Sequence, residues 1–423
     1  MRFAYALLAV AACGKVQSLA DAQQIDAVPA IDADPHGPVT VTVLNTDQSG
    51  TPVQGVPVVF FNPDGTMVGK SASDAQGKAT ATVLPGANVS VVWPKSATQY
   101  QVATIYAIKP NDDLVVGFRN PDPTEVGTFQ VTFDPVGGAT SYQIFGPCGT
   151  ADAKQVLHFI ADCKTDTFDI YIVASNANGL VAWNSKSNVA FSTGTTKLDA
   201  AGWQFNNQFT VHYSNVPAEI TQISASHVSG FPGGYEGSNS GAPANNQISL
   251  AINAPGGGTN AWVTGSFSRG NMGGQIVRQR VAGASSTYGL DVGANLLPWL
   301  DTPALDASTQ KFSITSTGTG TYDTYLADAT YSRTVGQTTI NYEWIILTPT
   351  IGDYTLPTLP ADVGDVNPKT TDTINNLVGL AIDDDGDGWD SVRAHIFDEF
   401  RGAILGSSAA QQLRITISQN LFN

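Results

Sequence analysis

The chain has 423 residues, a formal net charge of −16 at pH 7 and only 13% charged residues. The acidic balance argues against nucleic-acid binding, because phosphate recognition needs clustered lysine and arginine side chains. At roughly 100–200 residues per domain, the length predicts two to four domains. Abundant glycine, serine, threonine and asparagine favour turn-rich β domains over helical ones.

Residues 1–12 have the pattern of a secretory signal peptide. Arg2 precedes an apolar run from Phe3 to Ala12, and small residues lead up to Cys13. A charged start followed by a short apolar core is typical of such signals. The run is too short to span a membrane as a helix, which takes about 20 apolar residues.

The residues around Cys13 resemble the lipobox of bacterial lipoproteins. Ala11 and Ala12 stand directly before the cysteine, and Gly14 follows it. The resemblance implies cleavage before Cys13, lipid on Cys13 and sorting to the outer membrane. Val10 departs from the family, which prefers leucine at that position. We therefore expect a protein of the bacterial cell envelope, in the outer membrane or at the cell surface, held to the membrane by its N-terminal lipid.

Residues 13–37 are predicted to be a lipidated, disordered tether. They are rich in aspartate, alanine, proline and glutamine and poor in large apolar residues. Such a segment cannot bury enough surface to offset the entropy lost on ordering. An ordinary flexible N-terminus is the alternative, and only the lipid distinguishes the two.

Residues 38–120 alternate between short apolar strands and turn signals, which predicts a β-sandwich. The segment resembles the carboxypeptidase regulatory-like domain. A P-x-x-G-V-x-V strand, a D-x-x-G turn and an L-P-G turn carry the resemblance: Pro52, Gly55–Val58, Asp74, Gly77 and Leu84–Gly86. The last turn lacks the family's second proline and its tyrosine. The resemblance implies a spacer or binding module without peptidase activity.

Residues 124–196 follow a stiff break at Pro121–Pro123, which we take as a domain boundary. The segment resembles a fibronectin type III sandwich. The resemblance is carried by the runs Ala139–Tyr142 and Tyr171–Gly179, followed by Ser187. The family's usual core tryptophan is absent, and Phe133 stands nearest its place.

Two cysteines remain once Cys13 is assigned to the signal. An even remainder in an exported chain predicts a disulfide, here between Cys148 and Cys163. Closing this loop contributes roughly 3 kcal/mol in the chain-entropy model. His158 lies between them, so a metal site is the alternative, but no fourth ligand lies nearby.

Residues 197–423 resemble no family that we recognise. Strand-like alternations recur, separated by glycine-rich loops such as 230–241 and 255–258. Neither loop has a phosphate-binding pattern, so both are interpreted as turns. The number of strands predicts a third sandwich or a jelly-roll, which makes the whole chain an all-β protein of tandem sandwiches.

An aspartate-rich loop at 383–390 is the sharpest chemical motif. Carboxylates at alternate positions and a glycine turn suit calcium, which prefers several oxygen ligands. The candidate ligands are Asp383, Asp385, Asp387 and Asp390. The loop resembles the first half of an EF-hand, but Ala394 stands where that family has a bidentate glutamate. The alternative is a solvated acidic turn that caps a short helix.

Catalytic motifs are scarce. We find neither a Gly-x-Ser-x-Gly elbow nor a His-Glu-x-x-His helix, which favours a non-enzymatic protein. The first hypothesis is a non-catalytic surface lipoprotein with a binding, adhesion or structural role, whose partner is a glycan or an envelope protein. Exposed aromatic side chains at Phe231, Tyr235 and Trp389 are the candidates for glycan binding. The second is an anchored, glycan-active hydrolase whose site lies in the C-terminal domain, with Glu236 and Glu343 as candidate carboxylates.

Overall fold

Strands dominate the computed structural model, which describes residues 36–45, 50–117, 124–161, 163–205, 208–228, 236–254, 261–270, 273–281, 286–318, 320, 322–385, 388–394 and 412–418. The predicted all-β class, built from tandem sandwiches, is confirmed. Within these ranges no helix has the length and apolar character to cross a membrane. The predicted signal peptide and Cys13 lie outside the described residues.

Strands β1 to β7 form a two-sheet sandwich. They are β1 Gly37–Val43, β2 Pro57–Phe61, β3 Met67–Ala72, β4 Lys78–Val83, β5 Ala87–Ser96, β6 Gln99–Ile108 and β7 Asp113–Val116. One sheet has the order β4-β1-β7, and strands β3-β2-β5-β6 face it. Val39, Val41 and Val43 are fully buried because alternate side chains of a strand point to the same face.

The D-x-x-G pattern in this sandwich is a structural turn. Asp74 Oδ1 accepts the backbone N–H groups of Gln76 at 2.9 Å and Lys78 at 2.8 Å. Gly77 has a φ of +73°, and a Cβ atom there would lie 2.5 Å from the carbonyl oxygen of Val43. Only glycine fits this position, so the motif joins β3 to β4 beside β1.

Strands β8 to β14 form a second sandwich. They are β8 Glu125–Phe133, β9 Ser141–Gly146, β10 Gly149–Thr150, β11 Val156–Ile160, β12 Thr167–Asn176, β13 Gly179–Ala190 and β14 Thr195–Leu198. The sheets have the orders β10-β9-β12-β13 and β11-β8-β14. A short 3-10 helix, Phe191–Thr193, lies between β13 and β14, and a second, Ala200–Gly202, follows β14. Trp203 donates from Nε1 to the carbonyl oxygen of Asp134 at 2.8 Å and packs against Phe133.

Strands β15 to β21 form a third sandwich. They are β15 Gln208–Ser214, β16 Gln222–Val228, β17 Glu236–Gly241, β18 Ile248–Asn253, β19 Ala261–Ser268, β20 Gly274–Val281 and β21 Thr287–Asp291. The sheet β18-β15-β21 faces β17-β16-β19-β20 across a core that contains Phe209, Val211 and Phe267. Helix α1, Val292–Asn295, follows, and its N-cap Asp291 accepts the N–H group of Ala294.

The remaining elements extend the first sandwich. They are β22 Trp299–Leu300, β23 Ala304–Asp306, β24 Lys311–Ser313, β25 Ser316–Thr317, β26 Thr324–Val335, β27 Thr338–Thr348, β28 Asp353–Thr355, a 3-10 helix Ala361–Val363, β29 Thr373–Asp384, α2 Trp389–Val392 and β30 Gln412–Ile417. Strands β22 and β25 pair with each other, and β23-β24-β28 form a small sheet.

One long sheet joins the beginning of the chain to its end. Its order is β17-β16-β19-β20-β30-β29-β26-β27-β6-β5-β2-β3. At the parallel β6–β27 junction, Trp344 donates to Thr104 Oγ1 at 3.0 Å. The apolar core crosses this junction, since Val91, Ile345 and Ile415 belong to one buried cluster. The chain from residue 36 onward therefore forms one compact unit.

Candidate functional site

The predicted cysteine pair is joined in the structure. Cys148 and Cys163 form a disulfide, with their Cα atoms 5.4 Å apart. His158 turns instead to Glu125, and its Nδ1 lies 2.7 Å from Glu125 Oε2. This contact raises the pKa of His158. The alternative of a metal site on the two cysteines is wrong, because their sulfurs are bonded to each other.

The aspartate-rich loop is tied to strand β30. Arg414 donates from Nε to Asp383 Oδ2 at 2.8 Å, and its Nη2 lies 2.6 Å from the same oxygen. Asp385 Oδ2 accepts the backbone N–H group of Gln412 at 3.0 Å. These contacts use carboxylate oxygens to fix the position of the loop.

Asp390 has its own cationic partners. Lys109 Nζ lies 2.6 Å from Asp390 Oδ2, and Arg393 donates to Asp390 Oδ1. Both contacts lower the pKa of Asp390. Asp387 lies outside the described residues, within which no group of three metal-ligating side chains occurs. The calcium site stays a prediction.

The other candidates differ in their surroundings. Phe231 and Tyr235 lie outside the described residues. Trp389 is partly buried against the main core and donates from Nε1 to the carbonyl oxygen of Ala107 at 3.5 Å, so it is anchored in the fold. Glu236 is exposed at the start of β17. Glu343 alone lines a cavity that contains further polar side chains.

A polar groove opens over the β6–β27 junction. Its cavity has a volume of about 360 Å³ and is lined by amide, hydroxyl, carboxylate and phenol residues: Gln99, Tyr100, Thr330, Tyr331, Asn341, Tyr342, Glu343 and Asn375. Glu343 lies opposite Gln101 on β6 and opposite Thr330 on β26. Residues that are opposite in register project from the same face, so these side chains form one polar row.

Stacked tyrosines hold the strands beneath the groove. The rings of Tyr100 and Tyr342 are 5.8 Å apart, and those of Tyr331 and Tyr342 are 5.0 Å apart. Arg333 lies over the Tyr342 ring at 5.0 Å and is itself paired with Asp372. This packing gives the groove a rigid base, which limits the entropy lost when a ligand binds.

Three buried polar atoms beside the groove lack hydrogen-bond partners in the described part of the chain. Gln101 donates from Nε2 to Glu343 Oε2 at 2.9 Å, which leaves its own Oε1 unsatisfied. Asp328 Oδ1 and Trp93 Nε1 are also unsatisfied. Trp93 lies opposite Gln101 in the β5–β6 pair, and Asp328 precedes Thr330 by two residues on the same face of β26. Each such atom costs about 1–3 kcal/mol unless a ligand supplies its partner.

Burial disfavours the ionised form of two carboxyl groups, Asp328 and Glu343. Burial raises the pKa of Asp328 to about 7, and the charge of Glu343 adds to the shift. Burial also raises the pKa of Glu343, while the hydrogen bond from Gln101 opposes the change. Diagonal neighbours on paired strands lie about 7–8 Å apart. A protonated carboxyl donates one hydrogen bond and still accepts others, which suits hydroxylated ligands.

Sequence reasoning singled out Glu343 but missed Trp93, Gln101 and Asp328. The available signal was an acidic residue in each of two long strand patterns, β26 and β27. That signal cannot place the two residues together, because an alternating strand with a polar residue is also typical of a solvent-facing edge. The β6–β27 pairing decides which polar residues meet.

Comparison with known proteins leaves the family open. No protein-family model and no curated protein matches the chain. Among solved structures, the TIE protein of Bacillus anthracis overlaps 61% of this chain at 12% identity with a TM-score of 0.16, and the chain spans about half, 51%, of that protein. Two B repeat units of the collagen-binding protein of Staphylococcus aureus overlap 74% of this chain and 99% of their own length at 8% identity, with a TM-score of 0.13. Overlaps this weak carry no argument about function.

Proposed function

We propose that the chain is an exported cell-envelope lipoprotein that binds a neutral glycan in the polar groove without chemical turnover. The signal pattern before Cys13 supports export and lipid anchoring. The disulfide between Cys148 and Cys163 supports export independently, because structural disulfides persist in oxidising compartments.

The unsatisfied atoms beside the groove carry the binding part of the proposal. Gln101 Oε1 and Asp328 Oδ1 need donors, whereas Trp93 Nε1 needs an acceptor. A sugar hydroxyl group donates one hydrogen bond and accepts others, so neighbouring hydroxyls of one sugar satisfy both kinds of atom. A simple cation would satisfy only the acceptors.

The charge of the groove selects against anionic glycans. Among the described residues that line the cavity, none is basic, and Glu343 is acidic. A carboxylate or phosphate on the ligand would lie beside Glu343, and no basic side chain of the described lining offsets the repulsion, which opposes binding. Neutral polysaccharides are therefore the ligand class that the groove fits.

Affinity electrophoresis tests the glycan site. The soluble chain is run through gels that contain dextran, mannan, soluble β-glucan or glycol chitin. We expect retardation by at least one polymer, and a loss of about tenfold or more in affinity for Gln101→Ala, since this variant removes an acceptor and frees Glu343. Gln222→Ala, at an exposed position of β16, is the matched control. Equal mobility of the wild type in all four gels would contradict the proposal.

Membrane fractionation with lipid labelling tests the anchor. The native chain is compared with Cys13→Ala. We expect label and membrane association to be lost together in the variant. Two equally soluble, unlabelled chains would show that Cys13 belongs only to a secretory signal, and the binding proposal would then apply to a released protein.

A second candidate function is glycan hydrolysis in the same groove. The observation that favours it is the Asp328–Glu343 pair, in which burial shifts both pKa values upward. A general acid at neutral pH needs such a shift, and a carboxyl separation of about 6.5–9.5 Å suits inversion by way of a water molecule. In this reaction Asp328 would protonate the departing glycosidic oxygen, and Glu343 would deprotonate the attacking water.

Release of reducing ends distinguishes the two functions. A hydrolase shortens the retarding polysaccharide, and Asp328→Asn stops the release while binding persists. A binding protein leaves the chain length of the polymer unchanged over days at pH 5 to 8.

A further inference from the structure

A β-bulge interrupts the pairing of β5 with β6. The register shifts between Ala87 and Val89, so that Asn88 faces two residues of β6, Tyr106 and Ala107. Ala107 has a φ of +54°, and its N–H group donates to Asn88 Oδ1 at 3.4 Å. A bulge of this kind bends the strand and redirects side chains, and bulges are frequent beside binding sites.

The backbone at the bulge is strained. A non-glycine residue in the left-handed region is strained and persists only where the surroundings hold it. Asn88 is 8% exposed, so its amide is a buried support for Ala107. The side chain of Ala107 is only half-buried, so packing of that side chain does not explain the strained backbone. Its effect is to direct Tyr106 and Asn88 into the space beside β6.

That space is the larger cavity, about 520 Å³ in volume, which we call the tyrosine cleft. The cleft lies between the bulge, the β2–β3 and β4–β5 turns and residues 349–358. The rings of Tyr106 and Tyr354 are 5.0 Å apart with their planes tilted by 56°. Tyr106 donates to the carbonyl oxygen of Thr355 at 2.9 Å, and Thr348 donates to the Tyr354 hydroxyl at 2.6 Å. Both rings are therefore fixed before any ligand arrives.

The lining of the cleft combines apolar and polar surface without positive charge. Prolines, a leucine and the two rings supply the apolar part, while the remaining groups are hydroxyl, amide or carboxylate: Asp64, Asn88, Thr350, Asp353, Thr355 and Thr358. None of the described residues that line it is basic, and Asp353 is neutralised by Lys311 at 2.7 Å. Rigid aromatic surface beside hydrogen-bonding groups matches the two kinds of surface on a pyranose ring.

We propose that the tyrosine cleft is a second glycan site, which takes a short stretch of neutral sugar residues. The cavity volume falls within the range of about 300–1,000 Å³ that is usual for ligand sites. Sugar rings pack on the apolar wall, and sugar hydroxyls bond to the rim carboxylates and threonines. This site depends on no residue of the polar groove.

The two sites face opposite sides of the long sheet. Tyr106 projects from the face opposite to Gln101, because the two residues are separated by an odd number of positions along β6. Strand geometry places about 3.3 Å between successive residues, so the sites also lie near opposite ends of β6. If the proposed function of the polar groove holds, one molecule binds two glycan segments and thereby cross-links polysaccharide chains.

Calorimetry with hexasaccharides of glucose, mannose and N-acetylglucosamine, each titrated separately, tests the proposal. Thr358→Trp fills the cleft from an exposed position, and Thr358→Ser is its matched control. Gln101→Ala disables the groove. We expect two hexasaccharides per wild-type chain and one per chain in Thr358→Trp and in Gln101→Ala.

The outcomes separate the two sites. A site lost in Gln101→Ala with unchanged binding in Thr358→Trp overturns the cleft and leaves the groove. A site lost in Thr358→Trp with unchanged binding in Gln101→Ala supports the cleft and overturns the groove. Absence of heat with all three sugars in the wild type overturns both. A near-ultraviolet circular dichroism spectrum of Thr358→Trp that matches Thr358→Ser apart from the added indole confirms that the variant is folded.

Discussion

Each half of the long sheet contains a titratable side chain with a buried atom that has no hydrogen-bond partner in the described part of the chain. In the β16 half it is His227, whose Nδ1 is unsatisfied. His227 is 1% exposed and packs against Phe209, with 4.6 Å between the ring centroids. In the β26 half it is Asp328, whose unsatisfied Oδ1 lies beside the polar groove.

The same physics acts on both residues with opposite sign. Burial disfavours the charged form, so it lowers the pKa of His227 to about 4 and raises that of Asp328 to about 7. Both side chains are therefore neutral over a wide pH range. They differ in access, because His227 lies in a closed core whereas Asp328 is half-buried and lies two residues from Thr330, which lines the polar groove. An unsatisfied atom indicates a binding site only where a ligand can reach it.

The largest expected effect is the change with pH that Asp328 causes in the free energy of unfolding. Between its unfolded pKa near 3.8 and its folded pKa near 7, Asp328 holds a proton only in the folded state. Its contribution is complete below the unfolded pKa and is lost as pH rises through the folded one. The free energy of unfolding, measured in urea, should fall by the order of 3 kcal/mol between pH 4 and 7 relative to Asp328→Asn. Parallel pH profiles for the two chains would remove the buried-acid interpretation.

His227 should show the reverse dependence. The folded state binds the proton less readily than the unfolded state, so the contribution is complete above the unfolded pKa of 6.5 and is lost as pH falls towards 4. Relative to His227→Phe, we expect the wild type to lose of the order of 2–3 kcal/mol between pH 6.5 and 4. Hydrogen exchange of β16 and β19 amides locates the loss, and uniform destabilisation of all sheets would contradict a local origin.

Substitutions of Asp328 and His227 should differ in their effect on glycan affinity. Asp328→Leu removes a hydrogen-bonding carboxyl beside the groove, which we expect to lower glycan affinity about 10–100-fold, the equivalent of about 1.5–3 kcal/mol. His227→Leu changes a closed core and should alter affinity less than about twofold, within the scatter of distant substitutions. Calorimetry on both variants provides the measurement. Equal losses would show that the groove responds to sheet stability rather than to Asp328.

The smallest effect concerns His158, an exposed histidine whose partners stabilise its charge. The side chain is 47% exposed, and the contacts with Glu125 and Asp152 raise its pKa. Its contribution is present below the unfolded pKa and disappears as pH rises through the folded one, opposite to His227. A proton NMR titration should show the His158 ring titrating above an unperturbed histidine, and Glu125→Gln should bring it down. An unchanged midpoint in that variant would mean that Asp152 alone sets the shift.

Local features of this fold were predictable and long-range pairings were not. Alternation predicted β1 and the strands near Phe168, and Asp74 with Gly77 predicted a turn that the structure contains. The cysteine count predicted the disulfide. Such features depend on a few neighbouring residues, so sequence reasoning reaches them.

The candidate site depends on partners far apart in sequence. Gln101 meets Glu343 across 242 positions, and Lys109 meets Asp390 across 281. The alternation of apolar and polar residues predicts which side chains of a strand share a face, but it does not indicate which other strand pairs with that strand. The sequence therefore offers no reason to single out Asp328, and it does not indicate that Arg414 and Lys109 pair with the aspartate-rich loop.

The parallel junction of β6 with β27 has a consequence for biogenesis. During synthesis β6 is made long before β27, so the edge of β6 in the first sandwich stays unpaired until residues 338–348 have been made. Such an edge invites pairing with other chains, and contacts this distant in sequence slow folding. A fragment that ends near residue 117 should therefore self-associate through β6. In the full chain β27 covers this edge and so acts as an intramolecular chaperone. Nascent chains are therefore most vulnerable to aggregation before β27 has been made.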